Sequence, residues 1–129
     1  MTTTAARLVD DAEQAIASVS PNRLEVHLYA GTAQVIDVRE PEELAEQGWI
    51  AGSVHVPRGL LEFRADPTNP SFLPELAPTD TTVVYCGAGG RSALAAQALQ
   101  DLGWSDVVRL DGGIHAWKRA GRPVVGLAP

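Results

Sequence analysis

Thr81-Thr82-Val83-Val84-Tyr85-Cys86-Gly87-Ala88-Gly89-Gly90-Arg91-Ser92, continued by Ala93 to Leu102, decides how the rest of the chain is read. Its first five residues form a continuous run of β-branched and aromatic side chains, the pattern of a strand covered on both faces. After Ser92, the apolar positions Leu94, Ala95, Ala98, Leu99 and Leu102 fall on one helical face, and Gly103 ends the helix over Ser92 to Leu102. A buried strand that turns through glycines into a helix is half of a parallel β-α-β unit, so the chain is α/β. In parallel sheets ligands bind beyond the carboxyl ends of the strands. Chemistry is therefore expected immediately after Tyr85, at Cys86 and the turn behind it, and likewise after Val38 and after Leu110.

Further strands are expected on both sides. Gln34 to Val38 and Val107 to Leu110 carry the same buried signal, and Ala15 to Val19 and Ser53 to Val56 carry a weaker one. Thr4 to Gln14 reads as a polar helix that packs on the outside. Pro21 to Ala30 reads as a helix with Ser20 as N-cap, Pro21 at its first position and Gly31 as its stop. Glu42 and Glu43 occupy the first turn of another helix, where acids complement the dipole, and Ile114 to Ala120 forms the last one, ended by Gly121. Pro67, Pro70, Pro74 and Pro78 make Arg64 to Asp80 a loop with at most one helical turn. No repeat or linker divides the chain, and 129 residues suit one domain spanning residues 1–129, with 1–14 as the outer N-terminal helix.

Composition narrows the function. Hydrophobic residues at 45% and charged residues at 20% are ordinary globular values. A net charge of −6 with no basic run argues against nucleic acid as a partner. No apolar run approaches the ~20 residues of a membrane span, and the acidic N-terminal stretch does not read as a signal peptide. His27, His55 and His115 match no metal-ligand spacing, so neither metal nor cofactor is expected. Cys86 is the only cysteine, which excludes an internal disulfide and fits a reducing, cytoplasmic setting.

The residues after Cys86 suit a reactive thiol. Gly87, Gly89 and Gly90 free the backbone to turn amides inward, the following helix adds the positive end of its dipole, and Arg91 is the only charged residue between Asp80 and Asp101. All of these favour a thiolate. A nucleotide phosphate loop would place Lys before the Ser or Thr, where Arg91-Ser92 stands instead.

Cys86-Gly87-Ala88-Gly89-Gly90-Arg91-Ser92 resembles the C-x-x-G-x-R-S active-site loop of the rhodanese family of sulfurtransferases. Val35-Ile36-Asp37-Val38-Arg39-Glu40-Pro41-Glu42-Glu43-Leu44 and Gly48-Trp49-Ile50-Ala51-Gly52-Ser53-Val54-His55-Val56-Pro57 resemble its first signature. Leu110-Asp111-Gly112-Gly113-Ile114-His115-Ala116-Trp117 resembles its last. The resemblance implies a five-stranded parallel sheet flanked by helices on both faces. It also implies an enzyme whose cysteine takes a sulfane sulfur from thiosulfate or a similar small donor, becomes a persulfide, and passes the sulfur to a thiophilic acceptor such as cyanide or a protein thiol. Cys86 would be the nucleophile, and the loop from Gly87 to Ser92 would surround the sulfur with amides, without metal or cofactor.

The loop departs from thiosulfate-using relatives in carrying no cation before Arg91. Asp37 either orients the loop, through Arg91 or the loop amides, or forms an internal salt bridge; for Arg39 the salt-bridge or capping role is preferred. His55 and His115 read as bystanders, Trp49, Trp104 and Trp117 as packing, and Arg58 and Arg64 as solvated surface. Two other functions compete: a sulfur carrier or binding module without turnover, and a phosphatase or arsenate reductase. The latter enzymes have a longer loop between cysteine and arginine, and this loop lacks an acid to protonate a leaving group.

Overall fold

Thr81–Tyr85 is the central strand of a sheet in the computed structural model, which describes residues 2–78 and 81–127. In chain order the elements are α1 (Ala5–Ala15), β1 (Ser18–Val19), α2 (Pro21–Ala30), β2 (Ala33–Asp37), α3 (Pro41–Gln47), β3 (Val54–His55), a 3-10 turn (Arg58–Leu60) running into α4 (Leu61–Ala65), β4 (Thr81–Tyr85), α5 (Gly90–Asp101), β5 (Val107–Leu110) and α6 (Gly113–Arg119). The strands lie in the order β1-β5-β4-β2-β3 and all pairs are parallel. This is the expected five-stranded α/β sheet, and its buried run at β4 has neighbours on both sides. Thr79 and Asp80 of the expected loop, and residues 1, 128 and 129 of the expected domain, lie outside the described residues.

Alternation along the strands divides the core into two layers. Ile36, Val38, Val84, Cys86 and Val107 face Ile16, Leu61, Ala65, Ala95, Ala96 and Leu99, which brings α4 and α5 over one face. Val35, Val83, Tyr85 and Leu110 face Leu24, Ile114 and Trp117, which brings α2 and α6 over the other. Cys86 continues the first of these faces past the end of β4. α1 packs on α5 and buries only Ala12. Thr4 caps it by accepting from the Arg7 amide at 3.1 Å. Among the described residues no helix is long and apolar enough to cross a membrane.

One expectation is corrected. The buried side of α5 is Ser92, Ala93, Ala95, Ala96 and Leu99, whereas Leu102 is 42% exposed. The helix lies between the sheet and α1, so two faces carry small residues and no single apolar stripe marks it. Arg58–Ala65, for which the sequence offered no reading, is a helical stretch ahead of the proline-rich loop. At five residues α4 is too short for a periodic signal, and Leu61 and Ala65 fix it by burial.

Candidate active site

Cys86 leaves β4 at the carboxyl edge of the sheet and is 1% exposed. The Gly89 amide donates to its Sγ at 3.1 Å, and the thiol points to Ser92 Oγ at 3.6 Å. The buried Ser92 hydroxyl in turn donates to the Gly89 carbonyl at 2.9 Å, which closes the loop onto the first turn of α5. Gly89, with φ +142° and ψ −24°, is in a conformation that only glycine adopts readily, and it is the residue that aims its amide at the sulfur. The sulfur therefore receives the Gly89 N–H at the positive end of a twelve-residue helix.

The loop is also held from outside. The first amides of α6 bond to it: Ile114 N–H to the Cys86 carbonyl at 2.9 Å and His115 N–H to the Gly87 carbonyl at 3.1 Å. Gly113, at φ +61°, permits this approach, since a Cβ there would stand 2.6 Å from the Cys86 carbonyl oxygen. At the far end Arg91 donates from Nη1 to Glu43 Oε2 at 2.7 Å and from Nη2 to Glu43 Oε1 at 2.8 Å. These bonds, aided by the Glu40 amide and opposed by partial burial, hold the Glu43 carboxyl at about 2, against its ordinary 4.5. The same pair raises Arg91 above its ordinary value.

The structure brings Cys86 and Gly87 to Ser92 together at one edge. Of the two roles left open for Asp37, its contacts fit the internal salt bridge. Its two carboxylate oxygens accept from Arg39 Nε at 3.0 Å and Nη2 at 2.7 Å, and Oδ1 also accepts from the Arg39 amide at 3.0 Å. Both residues are fully buried, and Arg39 reaches on to the Gly48 carbonyl and lies 5.5 Å from the Tyr85 ring centre. Burial disfavours the guanidinium charge, but Asp37 outweighs it and the group stays raised. Asp37 thus ties the end of β2 to the segment entering β3. Tyr85 is pushed up chiefly by burial and then by the Asp37 charge, and its hydroxyl accepts from the Ile50 amide at 3.1 Å.

His55 also serves the frame, with Nε2 2.7 Å from the Arg39 carbonyl. Trp117 donates to the Pro123 carbonyl at 2.8 Å and Trp104 is buried, both packing roles. Arg58 pairs with Glu62 at 2.8 Å. Two surface hollows, of about 250 Å³ beside Tyr29 and Trp117 and about 210 Å³ beside Pro67 and Trp104, do not include the loop. Among the described residues no cluster of potential ligands could hold a metal.

Two neighbours of the loop, Glu43 and His115, carry no expected role there from sequence. Glu43 was legible in principle: β2 and β4 are adjacent and parallel, so the helices that follow them start side by side with opposite charges. His115 follows from Gly113, whose close approach sets the first turn of α6 on the loop.

The rhodanese-like domain family matches residues 20–120. A sulfurtransferase from Allochromatium vinosum is 35% identical over 91 residues, covering 70% of this chain and 77% of that protein. The chain spans 55% of the length of another curated relative, an uncharacterized Synechocystis protein, at 35% identity over 84% of this chain. Among solved structures, a Rhodopseudomonas palustris protein of unknown function, described as a possible tyrosine phosphatase, superposes with a TM-score of 0.91 at 34% identity, covering 97% of this chain and 96% of that one. The human single-domain sulfurtransferase TSTD1 superposes with a TM-score of 0.70 at 28% identity, over 79% and 95% of the two chains. With the loop, the flanking signatures and the sheet order all in agreement, this chain belongs to the rhodanese-like domain family.

Proposed function

We propose that the chain acts as a single unit that moves a sulfane sulfur through a Cys86 persulfide. The carrying observation is the convergence of the Gly89 amide and the α5 N-terminus on Cys86 Sγ. In the first half-reaction the Cys86 thiolate attacks the outer sulfur of thiosulfate. The S–S bond of the donor breaks, sulfite leaves with the electron pair, and the new outer sulfur carries the negative charge. Preformed donors aimed at that charge are the large electrostatic contribution available to such a site. In the second half-reaction an acceptor such as cyanide attacks the outer sulfur, takes it as thiocyanate, and returns the thiolate. No metal or cofactor enters either step, and a reducing compartment such as the cytoplasm keeps the lone thiol available.

A phosphatase needs its loop arginine free to clamp the phosphate, whereas both terminal nitrogens of Arg91 are bonded to Glu43. That observation favours sulfur transfer. A carrier without turnover would use the same atoms, so the test is kinetic. With thiosulfate and cyanide in excess, the protein is expected to produce thiocyanate over many turnovers and Cys86→Ala none. A single stoichiometric release would identify a carrier, and thiocyanate from the Cys86→Ala variant would overturn the reading.

A further inference from the structure

We infer that His115, beside Gly87 of the Cys86 loop, is the base that deprotonates a thiol acceptor. The inference rests on the sulfur-transfer reading above and concerns only its second half-reaction. A thiol attacks the outer sulfur as its anion, yet a free thiol near ~8.5 is mostly protonated at neutral pH. A thiol acceptor therefore needs a base where it meets the persulfide, whereas the donor step, which starts from an anion, does not.

The ring of His115 stands beside the first loop residue after Cys86. Its Cε1 and Nε2 lie 3.6 and 3.7 Å from the point a Cβ on Gly87 would occupy, and Arg91 Nη2 lies 3.3 Å from the same point. Imidazole and guanidinium thus flank one spot on the loop, directly after the cysteine. The ring is exposed and none of its atoms is hydrogen-bonded among the described residues, while its backbone is fixed by the bond to the Gly87 carbonyl.

The other groups facing this edge are engaged or unsuited. Glu43 is held at about 2 by Arg91 and is a feeble base. Asp37 is fully buried against Arg39, His55 Nε2 is bonded to the Arg39 carbonyl, and the Ser92 hydroxyl is bonded to Gly89. Asp111, before α6, is an exposed carboxylate, and ordinary carboxylates are several powers of ten too weak to take a thiol proton efficiently. Lys118 and Arg119, further along α6, carry no lone pair when charged.

In the step, neutral Nε2 takes the proton of the acceptor thiol and becomes an imidazolium. The acceptor sulfur then attacks the outer sulfur of the persulfide, forming a new S–S bond. The bond from that sulfur to Cys86 Sγ breaks and its electron pair stays on Cys86 as thiolate. The acceptor departs as a persulfide, the imidazolium returns its proton to solvent, and no outside oxidant or reductant is consumed.

The experiment separates the half-reactions. Wild type, His115→Ala and His115→Gln are loaded with thiosulfate, the added sulfur is verified by mass, and single-turnover discharge is followed to dithiothreitol or to sulfite, which attacks as an anion. Discharge to the thiol is expected to slow by about a hundredfold in both variants, the ordinary worth of a general base. Discharge to sulfite is expected to stay at the wild-type rate, and added imidazole to restore thiol discharge in His115→Ala. Equal slowing with both acceptors, or none with the thiol, would overturn the role of His115 while leaving sulfur transfer in place. A wild-type protein that takes up no sulfur would overturn sulfur transfer itself, and this proposal with it.

Discussion

Arg91 meets Glu43 through two parallel N–H···O bonds of 2.7 and 2.8 Å, which fasten the end of the Cys86 loop to the first turn of α3. The pair joins the elements that follow two neighbouring strands, β2 and β4, across the carboxyl edge of the sheet. It also means that the guanidinium is a brace with its charge shared. The amides and the α5 dipole are then left as the main partners of a sulfur anion in the loop.

The pair has a predictable pH signature. Glu43 is held at about 2 against its ordinary 4.5, and a lowered carboxyl adds stability above its unfolded value and loses it as pH falls through the folded one. Wild type is therefore expected to be more stable than Glu43→Gln above about pH 5. The difference should shrink from about 4.5 downward and vanish near 2. With the two side chains 28% and 42% exposed, its size is expected to be at most about 1 kcal/mol. Urea unfolding of both proteins across that range measures it; a difference that does not change with pH would contradict the assignment.

Asp37→Asn tests the division between frame and site. Removing one partner of a fully buried ion pair costs about 3–5 kcal/mol, because the other charge remains buried. The variant is expected to unfold at markedly lower urea concentration, while its folded fraction still takes up sulfur from thiosulfate at the wild-type rate. A slowed uptake with unchanged stability would return Asp37 to the loop.

How far the sequence carried these conclusions differs by element. β4 and β5 span the residues their β-branched runs indicated, and Ser20, Pro21 and Gly31 bound α2 as their chemistry requires, because these are local signals. The buried face of α5 was not legible, since alanines between two packing partners leave no stripe. Neither was the partner of Asp37 settled. Arg39 is two residues away, but a loop beyond the next strand was equally reachable until the backbone turn was known. Glu43 and His115 depend on strand order and on one close helix approach, which are long-range facts.

Gly89→Ala tests whether backbone shape makes the cradle. No atom lies within 4 Å of the added methyl, so only the φ of +142° opposes it. Such strain is worth about 1–3 kcal/mol, and relieving it turns the amide away from Sγ. Sulfur uptake is expected to fall by at least about tenfold with the overall fold retained. Uptake at the wild-type rate would mean that this amide is dispensable.

Loop length is tested by inserting one glycine after Gly89. Four residues separate Cys86 from Arg91, and the insertion widens the ring while keeping thiol, arginine and helix. Sulfur uptake is expected to slow and binding of phosphate or tungstate to rise in calorimetry. Unchanged values for both would assign selectivity to the residues flanking the loop.

The central claim is that Cys86 carries the transferred sulfur. Intact mass of the protein after incubation with thiosulfate, with peptide mapping, tests it most directly. The account predicts the gain of one sulfur atom on the Cys86 peptide, its loss on addition of cyanide, and no gain in Cys86→Ala. Wild-type protein whose mass stays unchanged after thiosulfate and every other sulfane donor tried, or sulfur gained by the Cys86→Ala variant, would contradict it.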